Sequence, residues 1–134
     1  MTNRHLALLA GLIVSSISFA EHHKESQTLS PVASEGQVIV VYEVPCSNME
    51  AGLATLKALI AYEAESSPIA YSSSPVMFRE GVMGAVDLHR SVSSMEKAIA
   101  WQEGDAQWKA LQATSLETCN VSIDDLTATM MVAQ

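Results

Sequence analysis

Positively charged residues are scarce in this sequence. Its 134 residues include 7 Lys and Arg against 15 Asp and Glu, which gives a formal net charge of −8 at pH 7. The few basic residues are also scattered, and no cluster of them forms a patch. Because an acidic domain repels phosphates and anionic lipids, the composition argues against nucleic-acid binding. Solubility is the simplest role for the acidic surface.

Several motifs that mark catalytic sites are missing as well. The sequence has no glycine-rich phosphate loop, no Gly-x-Ser-x-Gly turn and no Cys-x-x-Cys pair. No group of metal-ligating side chains stands at informative spacing within 37–134, so we predict neither a metal nor a cofactor. One conditional alternative stays open. If the chain is cut after Ala20, the terminus Glu21-His22-His23 carries the nitrogen donors that bind Cu(II) or Ni(II) in a square plane.

Only one long apolar run is present, and it lies at the amino terminus. Residues 1–20 combine Arg4, an apolar segment and the closing tripeptide Ser18-Phe19-Ala20, a pattern typical of a secretory signal peptide. The alternative is a membrane anchor, for which the run is short. We therefore predict cleavage after Ala20, a periplasmic or secreted location, and no membrane association of the mature protein. Residues 21–36 are polar and without periodicity, so we expect a disordered leader before a domain at 37–134.

The hydrophobic pattern of 37–134 predicts the order β-α-β-β-α-β. The first strand, QVIVVYEVP, is apolar on both faces, and a helix follows from a predicted capping box at Ser47 and Glu50. Two strands surround a turn at Glu80-Gly81. The next helix has a capping box at Ser93 and Glu96 and a break at Gly104-Asp105, and an alternating last strand closes the chain. This order favours an α+β, ferredoxin-like sandwich: a four-stranded antiparallel sheet with two helices on one face.

Two segments of the chain resemble a known family. The strand VIVVYEVP and the segment VMGAVDLHRSVSSMEKAIAWQEGDAQWKAL are similar to the antibiotic-biosynthesis-monooxygenase-like domains of the dimeric α/β-barrel superfamily. The resemblance implies a homodimer in which two sheets form a barrel. It also implies a small-molecule site, with cofactor-independent oxygenation of quinol-like or aromatic substrates as one activity found in such domains. Because this superfamily shares a fold and not one function, a non-enzymatic ligand-binding or interaction domain is the alternative.

The two cysteines are predicted to be neighbours in space. Cys46 follows the first strand and Cys119 precedes the last, and in the ferredoxin-like order these strands are antiparallel partners. An oxidising compartment would allow a disulfide between them. Two buried free thiols are the alternative.

The candidate catalytic residues are Asp87 and His89 in the sequence AVDLHR. At i and i+2 on a strand they share one face, where a carboxylate can orient an imidazole as a general base. We expect this face to line the barrel of the dimer, together with substrate-binding side chains from Glu43, Thr127 and Thr129. The opposite face, with Val82, Val86 and Leu88, is then assigned to the helices. Charges are also ordinary at a strand end, so a structural role for both residues is the simpler alternative.

Overall fold

The computed structural model describes residues 32–134. The predicted signal peptide and residues 21–31 of the predicted leader lie outside this range and stay predictions. Residues 34–37 form a turn, with the Gln37 amide donating to the Ser34 carbonyl over 3.0 Å. The Gly36 amide donates to the Ala133 carbonyl over 2.9 Å, so this turn is joined to the carboxyl-terminal end of the domain.

A four-stranded sheet and three helices make up the domain. The elements are β1 (Val38–Pro45), α1 (Met49–Ser66), β2 (Tyr71–Arg79), β3 (Val82–His89), α2 (Val92–Gly104), α3 (Ala106–Thr118), a single 3₁₀ turn (Ile123–Asp125) and β4 (Thr127–Val132). The strand order is β2-β3-β1-β4, and every neighbouring pair is antiparallel. The predicted ferredoxin-like α+β fold is confirmed. Among residues 32–134, no helix has the length and hydropathy needed to cross a membrane.

The helix termini differ from the predicted capping boxes. Asn48 caps α1 by accepting a hydrogen bond from the Ala51 amide, and Ser91 caps α2 by accepting one from the Ser94 amide. The boxes predicted at Ser47 and Ser93 are therefore wrong, because other good N-cap residues lie one or two positions away. The predicted break is confirmed: Asp105 ends α2 and caps α3, accepting from the Trp108 amide over 2.8 Å.

Strand register decides which side chains face the helices. In the β1–β3 ladder, Val38, Val40 and Val44 stand opposite His89, Asp87 and Met83, and all six are buried. Met83 belongs to the hydrophobic cluster formed with α1, so this is the helix-facing side of the sheet. The predicted assignment of Val82, Val86 and Leu88 to the helices is wrong. Both faces of β3 are rich in apolar residues, so hydrophobicity alone could not distinguish them.

A disulfide closes one end of the hydrophobic core. Cys46 and Cys119 are bonded, with their Cα atoms 4.4 Å apart, and both are buried, which confirms the predicted pairing. The bond ties the residue directly after β1 to the residue directly after α3. Its sulfurs lie against Gly52 of α1, where a Cβ atom would be 2.5 Å from the Cys46 Sγ and 2.8 Å from the Met83 Sδ. Glycine is therefore required at this position by close packing.

Gly52→Ala should destabilise the domain by about 2 kcal/mol or more, because the added methyl group must displace the disulfide or Met83. Gly104→Ala is the matched control, since a Cβ there would meet no atom of the described residues within 4 Å, and we expect it to be neutral or slightly stabilising. Urea unfolding of both variants measures the difference. Equal stabilities would contradict the close packing at Gly52.

Candidate functional site

A cavity of about 550 Å³ lies between the helix-facing side of the sheet and the helices. Most of its lining is apolar, with side chains that include Val40, Val44, Leu56, Leu59, Leu116 and Leu126. A smaller set of polar groups enters it from the sheet and from each helix: Tyr42, Glu63, Ser73, Asp87, Gln102, Glu103, Gln112 and Ser115. An apolar cleft of this size with a few convergent polar groups is typical of a small-molecule site.

Asp87 is the carboxyl group that β3 contributes to the cavity. The residue is 3% exposed, and its Oδ1 atom has no hydrogen-bond partner among the described residues. Burial raises the pKa of the Asp87 carboxyl to about 7; the Ser73 hydroxyl opposes this rise and the negative charge of Glu63 adds to it. Asp87 can therefore accept or donate a proton near neutral pH, as a general acid or base must.

His89 lies beside Asp87 but is not among the residues that line the cavity. It is 1% exposed, and its ring stacks on that of Tyr71 with the centroids 4.9 Å apart. Its Nε2 atom is 3.9 Å from the Asp87 Oδ2, too far for a hydrogen bond. Burial lowers the pKa of the His89 imidazole, while the pKa of Asp87 is raised, so both groups shift towards their neutral forms. Burial therefore disfavours the charged form of each group, and at this distance the two do not form a hydrogen-bonded ion pair.

Glu63 is a second carboxyl group in the cavity, and it comes from α1. It is 8% exposed, and the Trp108 Nε1 donates to its Oε1 over 2.7 Å. The Gln102 Nε2 lies 3.4 Å from the same oxygen and donates over 3.0 Å to the Tyr71 hydroxyl. Burial raises the pKa of Glu63, and the contacts with Trp108 and Tyr71 work against that rise. All three helices thus contribute to holding this carboxyl in place.

The Tyr42 phenol lines the same cavity as Asp87 and Glu63 and is close enough for both carboxyl groups to affect its pKa. Burial raises the pKa of the Tyr42 phenol to about 12, with further contributions from the charges of Asp87 and then Glu63. The phenol is therefore a neutral hydroxyl at physiological pH. The site combines two buried carboxyls with a phenol hydroxyl, in surroundings of low polarity.

The structure separates the predicted site residues. Asp87 and His89 share one face, as predicted, but Glu43, Thr127 and Thr129 lie on the opposite face of the sheet. The register shows this for Glu43 and Thr127, which pair with each other, because Glu43 also pairs with Gly84 and Gly84 is three residues from Asp87, an odd number that places it on the other face. Thr129 lies two residues from Thr127 on the same strand and so shares its face. Glu43 forms an exposed ion pair with Arg79 at 3.1 Å. The prediction that these three residues join Asp87 in one pocket is wrong.

Glu63, Gln102 and Trp108 were not predicted as site residues. A signal for Glu63 exists in the sequence: it continues the buried stripe of α1 after Leu56 and Leu59, where an apolar residue is expected. A charged residue inside an apolar stripe needs a partner or a function, since buried carboxylates are costly. Gln102 likewise follows the buried Ala98 by four residues. No group of three or more potential metal ligands occurs within residues 32–134.

Comparison with known proteins identifies the fold. No family model matches the chain, and no curated protein gives a significant match. Among solved structures, a Caulobacter crescentus protein provisionally classed as an antibiotic biosynthesis monooxygenase is similar, with a TM-score of 0.54 and 18% identity over 75% of this chain and 92% of that one. A Bacteroides thetaiotaomicron protein of unknown function, suggested to be an oxidoreductase, is similar with a TM-score of 0.52 and 14% identity, covering 75% of this chain and 100% of that one.

A third similar structure is described as dimeric. It is a ferredoxin-like protein of unknown function from Jannaschia, with a TM-score of 0.52 and 8% identity over 73% of this chain and 100% of that one. At these identities the likeness concerns the fold alone. The domain therefore has the ferredoxin-like fold of monooxygenase-like proteins, and the predicted resemblance is confirmed at that level.

Asp87→Asn should change the pH dependence of stability. The carboxyl's pKa rises from 3.8 when unfolded to about 7 when folded, so its favourable contribution is present below the lower value and is lost as the pH rises through about 7. Asparagine cannot ionise, so the variant avoids this loss. As the pH rises from about 5 to about 8, the free energy of unfolding of the variant should increase by about 2 kcal/mol relative to that of the parent protein. Denaturant unfolding at several pH values measures this difference.

Glu65→Gln is the matched control, because Glu65 lies on the exposed side of α1 two residues from Glu63. It removes the same charge outside the cavity and should show no comparable pH-dependent gain. A flat difference for Asp87→Asn would mean that Asp87 is not desolvated in solution.

Proposed function

We propose that this domain binds a small aromatic ligand in the cavity between sheet and helices and oxygenates it without a cofactor. The observation that carries the proposal is Asp87, which lies in a largely apolar cavity, has a pKa of about 7 and has one oxygen that lacks a hydrogen-bond partner among residues 32–134. The monooxygenase-like fold supports the reaction class. A quinol-like substrate would lie in the apolar part of the cavity and present a hydroxyl group to Asp87.

The proposed chemistry begins with proton removal. Asp87 accepts the proton of the substrate hydroxyl, which makes the ring electron-rich enough to react with dioxygen. One oxygen atom forms a new bond to a ring carbon, and the other leaves as water with two hydrogens of the substrate. The substrate supplies the electrons, so no separate reductant is required.

The structure favours different roles for Asp87 and His89 from those that the spacing suggested. Asp87 lines the cavity and is the proposed base, whereas His89 is placed behind it against Tyr71. His89 is then a positioning residue that fills the space beside Asp87. Glu43, Thr127 and Thr129 have no place in this mechanism, because they face away from the cavity.

With 1,4-dihydroxynaphthalene as the probe, the protein should consume oxygen and yield the hydroxylated naphthoquinone. Uncatalysed oxidation instead forms naphthoquinone and hydrogen peroxide, so product analysis distinguishes the two routes. Asp87→Asn should lower kcat/KM by about 100-fold or more, since it removes the proposed base. Glu65→Gln should retain full activity.

The alternative function is ligand binding without turnover. It is favoured if the probe binds but the hydroxylated product does not form above the uncatalysed rate. Equal activity of Asp87→Asn and the parent protein would remove Asp87 from the mechanism.

We also propose that the exported protein is a homodimer. The face of the sheet opposite the cavity carries partly exposed apolar side chains, among them Ile39, Val41, Phe78, Leu88 and Met131. Such a face is typical of an interface, and a similar fold is described as dimeric. Export rests on the signal-peptide pattern of residues 1–20.

Native mass spectrometry of protein recovered from the exported fraction should show a dimer of chains that begin at Glu21. Val41→Lys, at the centre of the open face, should yield monomers, because it would bury two charges in the interface. Ala54→Lys on the exposed side of α1 is the control and should stay dimeric. A monomer in the unsubstituted protein would refute the barrel, and a retained amino terminus would refute cleavage.

A further inference from the structure

All the titratable groups that line the cavity are acidic. Its titratable lining groups are Tyr42, Glu63, Asp87 and Glu103, and all four are acids. No Lys, Arg or His of the described residues lines the cavity. The carboxyls of Glu63 and Asp87 are therefore not compensated by a protein cation at the surface that a ligand would meet. An anionic ligand would face repulsion that the low local polarity strengthens.

The Asp87 Oδ1 atom is a place where a hydrogen-bond donor on a ligand would find an acceptor. This oxygen is buried, like the rest of the residue, which is 3% exposed, and within residues 32–134 nothing donates a hydrogen bond to it. A buried acceptor without a partner has lost its hydration with no bond in return. A donor on a ligand in the cavity would restore that bond, and a charged donor would form a stronger one than a neutral donor.

Glu63 is a fixed second acceptor in the same cavity. The short bond from the Trp108 indole and the contact with Gln102 both hold its Oε1, so the position of the carboxyl is determined before a ligand enters. Trp108 and Tyr42 add aromatic rings to the lining, and such rings attract cations. Carboxyls and aromatic rings together form the usual surroundings of a bound organic ammonium group.

We propose that the cavity selects apolar aromatic molecules that carry a protonated amine and excludes their carboxylate counterparts. The ammonium group would lie between Asp87 and Glu63, with the ring against the aliphatic lining. The inference rests on the proposed function in one respect, that this cavity is the ligand site. It adds a ligand class, aromatic amines, which would meet Asp87 with an ammonium group at the place where a quinol-like substrate would present its hydroxyl.

Three probes with the same ring test the charge preference: tryptamine, 3-methylindole and indole-3-propionate. Calorimetric titration at about pH 8 should give the tightest binding for tryptamine, weaker binding for 3-methylindole and the weakest for indole-3-propionate. We expect about tenfold or more between the amine and the neutral probe, as for a charge-assisted hydrogen bond.

Substitutions of the two cavity carboxyls test whether they cause the preference for the amine. Asp87→Asn and Glu63→Gln should each weaken tryptamine binding by about tenfold while leaving 3-methylindole binding nearly unchanged, since only the charged contact is lost. Glu65→Gln removes an acidic charge outside the cavity and should leave all three affinities unchanged. A matching loss in Glu65→Gln would mean that the overall negative charge, and not the cavity, attracts the amine.

The outcomes separate this inference from the proposed function. If 3-methylindole binds and tryptamine binds no better, the amine preference is refuted while the cavity remains a ligand site. Tighter binding of indole-3-propionate would refute it as well. If none of the three probes binds, both the cavity site and the amine preference are refuted.

Discussion

The pairing of β1 with β3 at the centre of the sheet is the constraint on which the rest of the domain depends. This register places Val38, Val40 and Val44 on the same face as His89, Asp87 and Met83. A slip of one residue would turn all of these side chains to the other face, because side chains alternate along a strand. The core, the disulfide contact at Met83 and the carboxyl in the cavity would then be lost together.

The same face serves both stability and the candidate site. At one end it is apolar, and the Cys46–Cys119 disulfide packs there against Gly52 and Met83. Further along β3 the buried residues become polar, first Asp87 and then His89, and no group in the described part of the chain forms a hydrogen bond with the Asp87 Oδ1 or with either imidazole nitrogen. Unpartnered buried polar groups reduce stability, and natural proteins retain them mainly at functional sites. The change of character along one strand is the strongest structural argument that the cavity has a role beyond packing.

The helices determine what kind of site the cavity is. Because α2 and α3 are separated at Asp105, Gln102 lies before the break and Trp108 after it, and both reach Glu63 on α1. An unbroken helix would continue in one direction and could not place these two side chains around one carboxyl in this way. The break, which a helix-breaking Gly104-Asp105 sequence encodes locally, therefore has a consequence at a distance: it helps to fix an acidic group in the cavity.

Sequence alone determined the order of the elements, the fold, the break at Gly104-Asp105 and the pairing of Cys46 with Cys119. These depend on local signals, such as turn residues and hydrophobic period, combined with the strand order that one fold imposes. Spacing also showed that Asp87 and His89 share a face. It could not show which face, because β3 has apolar residues on both, and only packing against α1 distinguishes them. That single ambiguity misplaced Glu43, Thr127 and Thr129. Glu63 lies 39 residues before Gln102 and 45 before Trp108, and the three stand on different helices, so only the tertiary structure brings them together around the cavity.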